Sequence, residues 1–291
     1  MENFRKIRFI AFLFLSLLFV GCEQEEVDYT KMVLEGWIDA DGHPVVMLHK
    51  SYSLDGDNTT AIDTSLVSII GNQLVLFGSI TIFDGKDSVL LTGRVDTNYM
   101  PPYIYTSVFM KGEVGKTYHI SAKYNNFSVS AQSTIPSRAT FDSICVKKNN
   151  LDKMEVIGYA NSLIAGEHYI IMLKVSNKSQ YKVMPLGVFE ASKPNMEIHI
   201  YNNALVEGNL PFSSFFPRTD SVYLSIKFAH IGEKEFEIWN SFAAQSTTQG
   251  IFFMETHGNI PSNIEGGNGY FCGMGSSEYL IKLNEEKVYK W

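Results

Sequence analysis

Three polar turns set the grain of this chain. Asp39-Ala40-Asp41-Gly42, Asp84-Gly85-Lys86-Asp87 and Tyr124-Asn125-Asn126 each separate two short apolar runs. Gly, Asn and Asp reach positive φ at little cost, so each turn reads as the tip of a hairpin. The strands joined are Lys31 to Ile38 with His43 to Ser51, Ile80 to Phe83 with Ser88 to Val95, and Lys116 to Lys123 with Phe127 to Ile135. Tyr103 to Met110, after Pro101-Pro102, adds another. Short strands at this spacing, rich in aromatic and β-branched residues, predict a β-sandwich-like domain over residues 31–136. Ile135-Pro136 closes it, because proline cannot donate to a continuing ladder.

From Ala139 the pattern resumes in Phe141 to Lys147, Met154 to Ala160, His168 to Val175, Ser221 to Ile231 and Tyr270 to Lys282. These predict a second β-rich domain, residues 139–291, with its own sheet. Leu210 to Arg218 is an aromatic-rich irregular segment within it, and Asp55 to Asp63 in the first domain is a polar loop. The period changes only once. Over Glu233 to Ser246, Phe236, Trp239 and Ala243 stand at helical spacing with Phe242 alongside and charges opposite. That predicts a helix laid on the second sheet as core. The fold class expected is therefore mainly all-β, with one C-terminal helix near 233–246.

The N-terminus carries a different signal. Arg5, Lys6 and Arg8 precede Phe9 to Val20, an uncharged apolar run too short to span a bilayer. Leu18-Phe19-Val20-Gly21-Cys22 then reads as a lipobox, with Phe19 where Leu is usual. Cleavage after the small Gly21 leaves Cys22 first in the mature chain, and its thiol is the one side chain able to take a thioether-linked diacylglycerol. Residues 1–21 are thus read as a lipoprotein signal peptide and 22–30 as an acidic tether. Glu23, Glu25, Glu26 and Asp28 keep that tether solvated, and the run resembles the acidic signal that sends Bacteroidota lipoproteins to the outer face of the outer membrane. A periplasmic-facing anchor is the alternative.

Removing residues 1–21 takes away three basic residues and one acidic one, so the formal charge moves from −7 to −9. That argues against nucleic acid as a partner, since phosphate binding needs concentrated positive charge. With Cys22 acylated, Cys145 and Cys272 remain; they either pair as a disulfide or pack as two separate thiols. No CxxC or zinc spacing is present. Asp39 with Asp41 and Asp55 with Asp57 offer oxygens to calcium, but neither continues into an EF-hand pattern, and turn chemistry accounts for both. His43 and His49 lie about 20 Å apart on an extended strand, too far to share a metal. No metal site and no cofactor fingerprint is read.

Three segments together carry a family resemblance. Met32-Val33-Leu34-Glu35-Gly36-Trp37-Ile38 follows the tether, Gly115-Lys116-Thr117-Tyr118 introduces the strand leading to Ile135-Pro136, and Ser262-Asn263-Ile264-Glu265-Gly266-Gly267-Asn268-Gly269-Tyr270-Phe271 stands near the end. In these the chain resembles the Bacteroidota lipoproteins grouped as domain of unknown function 4249, over nearly all of the mature sequence. The resemblance implies an outer-membrane lipoprotein of β architecture, often encoded beside a TonB-dependent receptor, and brings no catalytic residues.

Two stretches are candidate binding surfaces. Gly266, Gly267 and Gly269 let the backbone come close to a ligand that Tyr270 and Phe271 would flank, or they form a tight hairpin feeding a core strand. Tyr103 and Tyr105 sit on a stiff prolyl segment suited to contact, or they face inward at a sandwich edge. For catalysis there is no GxSxG, HExxH or Walker loop, and no enzyme is expected. The function expected is a membrane-anchored, non-catalytic lipoprotein that binds a ligand or serves a TonB-dependent receptor as an accessory. Its rivals are a fimbrial or adhesive subunit and a glycan-degrading hydrolase, whose carboxylate pair would be invisible in sequence.

Overall fold

The computed structural model describes residues 31–51, 74–99, 102–148, 154–175, 182–202, 223–249, 260–283 and 285–291. The signal segment and tether, the Asp55–Asp57 pair and the aromatic stretch around Phe212 lie outside them. The first region supplies β1 (Met32–Asp39), β2 (Val45–Lys50), β3 (Ser79–Phe83), β4 (Ser88–Val95), β5 (Tyr103–Thr106), β6 (Thr117–Tyr124) and β7 (Phe127–Thr134). The second supplies β8 (Ser143–Lys148), β9 (Met154–Ala160), β10 (His168–Val175), β11 (Lys182–Glu190), β12 (Met196–Asn202), β13 (Tyr223–Ile231), helix α1 (Glu233–Gln249), β14 (Asn268–Lys282) and β15 (Lys287–Lys290). The fold is all-β with one helix, as the composition of the strands demands.

All three turns close hairpins: β1 pairs with β2, β3 with β4 and β6 with β7, each antiparallel. Asp41 and Asn125 take the positive φ that the turns require, at 64° and 49°. The strand expected over Tyr103 to Met110 stops at Thr106, because Ser107 Oγ accepts a hydrogen bond from Phe109 N (3.2 Å) and turns the chain. Strands β11, β12 and β15 are not among those expected from sequence, although in β12 Met196, Ile198 and Ile200 do alternate with Glu197 and His199.

The second region does not keep to its own sheet. Eleven strands form one ladder in the order β11-β10-β13-β14-β1-β2-β5-β4-β3-β6-β7, beside a four-stranded sheet β12-β9-β8-β15. The joint is β14, which lies parallel to β1 from Val33 opposite Asn268 to Asp39 opposite Met274, and antiparallel to β13 beyond it. Lys31–Trp291 is accordingly one compact unit.

Side-chain alternation along β14 sorts the interior into layers. Phe271 points into a core of Leu34, Ile38, Val46, Leu48, Ile82, Tyr118 and Val129, around which β1 to β7 curl until β7 comes back against β14. Tyr279 and Ile281, on the same face, join Tyr169, Phe228, Ile144 and Val156 between the two sheets. The stretch from Thr134 to Ser137 crosses β14 between these cores. Side chains would block that crossing: a Cβ on Gly273 would stand 2.7 Å from Thr134 O, and one on Gly275 would collide with Ser137 O.

The opposite face of β14 presents Tyr270, Cys272 and Met274, which pack with Ile170, Ala229 and Ile231 under Ile238 and Trp239 of α1. The helix therefore covers the sheet with its apolar stripe, as its period predicts. Cys145 and Cys272 do not form the disulfide weighed from sequence. Both are free thiols, Cys145 in the four-stranded sheet and Cys272 buried beneath the helix.

Candidate functional site

The residues picked out as a binding surface are used inside the protein. Tyr105 is buried and its hydroxyl donates to Val75 O (2.6 Å) while accepting from Gly78 N (2.8 Å). Tyr103, half-buried, donates to Leu76 O (2.7 Å). Both rings pin the segment after residue 74 across the end of the first core. Phe271 is fully buried in that core, and Tyr270 is buried against Trp239, with ring centroids 5.0 Å apart. Burial holds the Tyr270 hydroxyl proton well above its ordinary pKa, with the nearby Glu35 carboxylate adding to the effect.

The glycines serve close packing of backbone on backbone. Gly266 and Gly269 take φ of 76° and 111°, and added Cβ atoms would meet Ser128 O at 2.5 Å and collide with Leu34 O. One at Gly267 would collide with Met32 O. The segment is also no hairpin, since it feeds a strand whose first partner, β1, is parallel.

What this segment does is finish the free edge of β14. From Asn268 to Gly273 that strand lacks the pairing with β13, which covers only Gly275 to Lys282. Asn263 replaces it: Phe271 N donates to its Oδ1 (2.9 Å) and its Nδ2 donates to Phe271 O (2.8 Å). Gly273 N donates to Ser133 Oγ (2.8 Å), which donates in turn to the buried Glu235 carboxylate (2.7 Å). Ser262 Oγ donates to Gly269 O (2.9 Å), and Glu265 exchanges both backbone hydrogen bonds with Ser130. A buried strand edge must be satisfied somehow, and here side chains do it.

A second polar group sits where β13, β14 and β1 meet. Lys227, 6 % exposed at its side chain, donates from Nζ to Asp39 Oδ2 (2.7 Å), and Ser276 Oγ on the intervening strand donates to Asp39 Oδ1 (2.7 Å). Burial pulls the Lys227 ammonium down, but the Asp39 carboxylate, helped by Glu278 at 3.6 Å, holds its pKa above the ordinary lysine value. Arg138 adds a clamp, with one nitrogen on Ser276 O (2.7 Å) and the other on Asp41 Oδ2 (2.5 Å). The acidic pair weighed for calcium is thus committed to cations of the protein itself. Among the described residues, no group of three or more His, Cys, Asp or Glu is placed to hold a metal ion.

Ser137, His230 and Glu167 have the composition of a nucleophile, base and acid. His230 is buried and stacked on Tyr169 at 4.8 Å, with Nδ1 3.0 Å from Ser137 Oγ and Nε2 3.3 Å from Glu167 Oε2. Nδ1 also lies 3.1 Å from the carbonyl of Ser137, which can only accept. The Glu167 carboxylate at Nε2 accepts as well, so each ring nitrogen has an acceptor within reach. The ring ties the crossing segment to β13.

No local pattern in the sequence singles out Lys227, Ser276, Arg138 and His230 as a set. The one signal was a lone cation, Lys227, inside the apolar run of β13.

Together these features define a mixed-sheet all-β protein whose polar clusters hold its two regions to a shared strand. The chain belongs to the family described as Domain of unknown function (DUF4249), whose model matches residues 22–279. No curated protein matches it.

Proposed function

We propose that this protein is a lipid-anchored, non-catalytic outer-membrane lipoprotein of the Bacteroidota type, an accessory or ligand-binding component for a TonB-dependent receptor. The observation that carries the reading is the lipobox at Cys22 behind a basic segment and a short apolar run. The family match begins at that same residue, which supports Cys22 as the start of the shared mature chain. The acidic run after it favours display at the outer surface. The receptor as partner rests on the family resemblance.

The test begins with acylation. Wild-type protein is expected to incorporate labelled fatty acid and partition with the outer membrane, whereas Cys22→Ala is expected to stay unprocessed or be released. Equal partitioning of both, without label in the wild type, removes the anchor. Cross-linking in intact cells followed by tagged pull-down then tests the partner. Recovery of a TonB-dependent receptor is the expected result, and ordered polymers of this chain alone would turn the reading toward a fimbrial subunit.

A further inference from the structure

We infer that the end of the first core nearest Lys31 rests on the bilayer surface through Phe77, Leu76 and Val95, fixing how the body stands on the membrane. The inference rests on lipidation of Cys22. Ser51 N donates to Lys31 O (2.7 Å) and Lys31 N to Ser51 Oγ (2.7 Å), which sets the far end of β2 beside the point where the tether enters. Leu74 bridges His49, and Val75 N donates to Leu48 O (3.1 Å), so the stretch 74–78 starts at that same end. It then crosses to Ser79, opposite Lys123 on β6.

Along this crossing the inward residue, Val75, is buried, while Leu76 is 41 % and Phe77 89 % exposed. Val95, 72 % exposed, ends β4 opposite Tyr103, whose hydroxyl holds the Leu76 carbonyl. Three large apolar side chains thus share one end of the unit. Lys31 and Lys123 are exposed there, and Lys50 lies with its ammonium 5.6 Å from the Tyr124 ring. Glu265 and the Arg94–Asp96 ion pair lie at that end too.

The occupant follows from where the chain enters. Cys22 stands nine positions before Lys31, so its acyl chains lie within about 30 Å of this end even with the tether fully drawn out. Exposed Val108 and Phe109 follow β5, whose Tyr103 end is the one near Lys31, so they stand at the opposite end of the core. Apolar side chains that share one end with lysine ammoniums suit the headgroup boundary, where rings leave water and ammoniums meet phosphate. Acyl chains alone would hold the body at the surface in any orientation; this patch selects one.

The test uses full-length, acylated protein in vesicles of phosphatidylethanolamine and phosphatidylglycerol, with Cys145→Ser as background. A nitroxide is placed at Phe77→Cys or, for comparison, at Phe109→Cys. The label at 77 is expected to collide more with oxygen than with a water-soluble nickel chelate, and the label at 109 to show the reverse. Acyl mass on Cys22 with water-like collisions at both positions overturns the orientation and leaves the anchor standing. Absence of acyl mass on the protein extracted from cells overturns both.

Discussion

Lys227 and Asp39 are 188 residues apart in sequence and 2.7 Å apart in space, joined across β14. The pair is buried at its lysine end, so removing one partner strands the other charge. Lys227→Met or Asp39→Asn alone should each cost about 3–5 kcal/mol, read as a fall in the urea midpoint. The double variant should lose much less than the sum, because neither charge is then left behind. Strict additivity would show the pair to be uncoupled.

Trp239 packs its ring on Tyr270 and Phe242 beneath α1, with little of it exposed. Trp239→Ala should lower stability by about 3–5 kcal/mol, seen as a large drop in Tm. A near-unchanged Tm would make this helix face a docking surface.

Gly269 and Gly85 both have positive φ, 111° and 94°, but only Gly269 lies against other backbone. Gly85→Ala meets open space and should cost about 1–2 kcal/mol, for the left-handed conformation alone. Gly269→Ala adds a collision with Leu34 O and should cost about 3–5 kcal/mol. Equal costs in chemical denaturation would contradict the close approach of β14 to β1.

Asp84 accepts hydrogen bonds from Asp87 N (2.7 Å) and Lys86 N (3.0 Å) and pairs with Lys116 (3.1 Å). The two backbone donors first, and Lys116 after them, hold its pKa down at about 2, against an ordinary 3.8. A carboxylate with a depressed folded pKa stabilises fully above its unfolded value and loses that contribution as pH falls through the folded one. Wild type should therefore lose stability from this group between about pH 4 and pH 2, and Asp84→Asn should show a shallower fall there. Parallel curves for the two proteins would deny Asp84 this role.

Much of the architecture was legible because it is local. The three hairpins follow from Asp, Asn and Gly at turns flanked by alternating runs, and α1 from the spacing of Phe236, Trp239 and Ala243. Such patterns act within a few residues, and neighbouring chain cannot easily overrule them. The same reading gave Tyr270 and Phe271 two roles, flanking a ligand or filling a core, because an apolar ring is suited to either.

Tertiary structure decided that question by pairing β14 with β1 in parallel, an alignment that no short-range pattern encodes. Once Leu34 lies beside Gly269, the glycines become necessary for contact between backbones, Phe271 falls on the core side and Tyr270 beneath the helix. Asp39, which the sequence offers as a turn acid or a calcium oxygen, then meets Lys227 and Ser276. The sequence by itself marked most of the strands and their turns, and it sets Gly21-Cys22 behind a short apolar run. Which strands are neighbours, and hence which polar groups are buried together, was settled by packing two hydrophobic cores against one shared strand, a choice made by contacts more than two hundred residues apart.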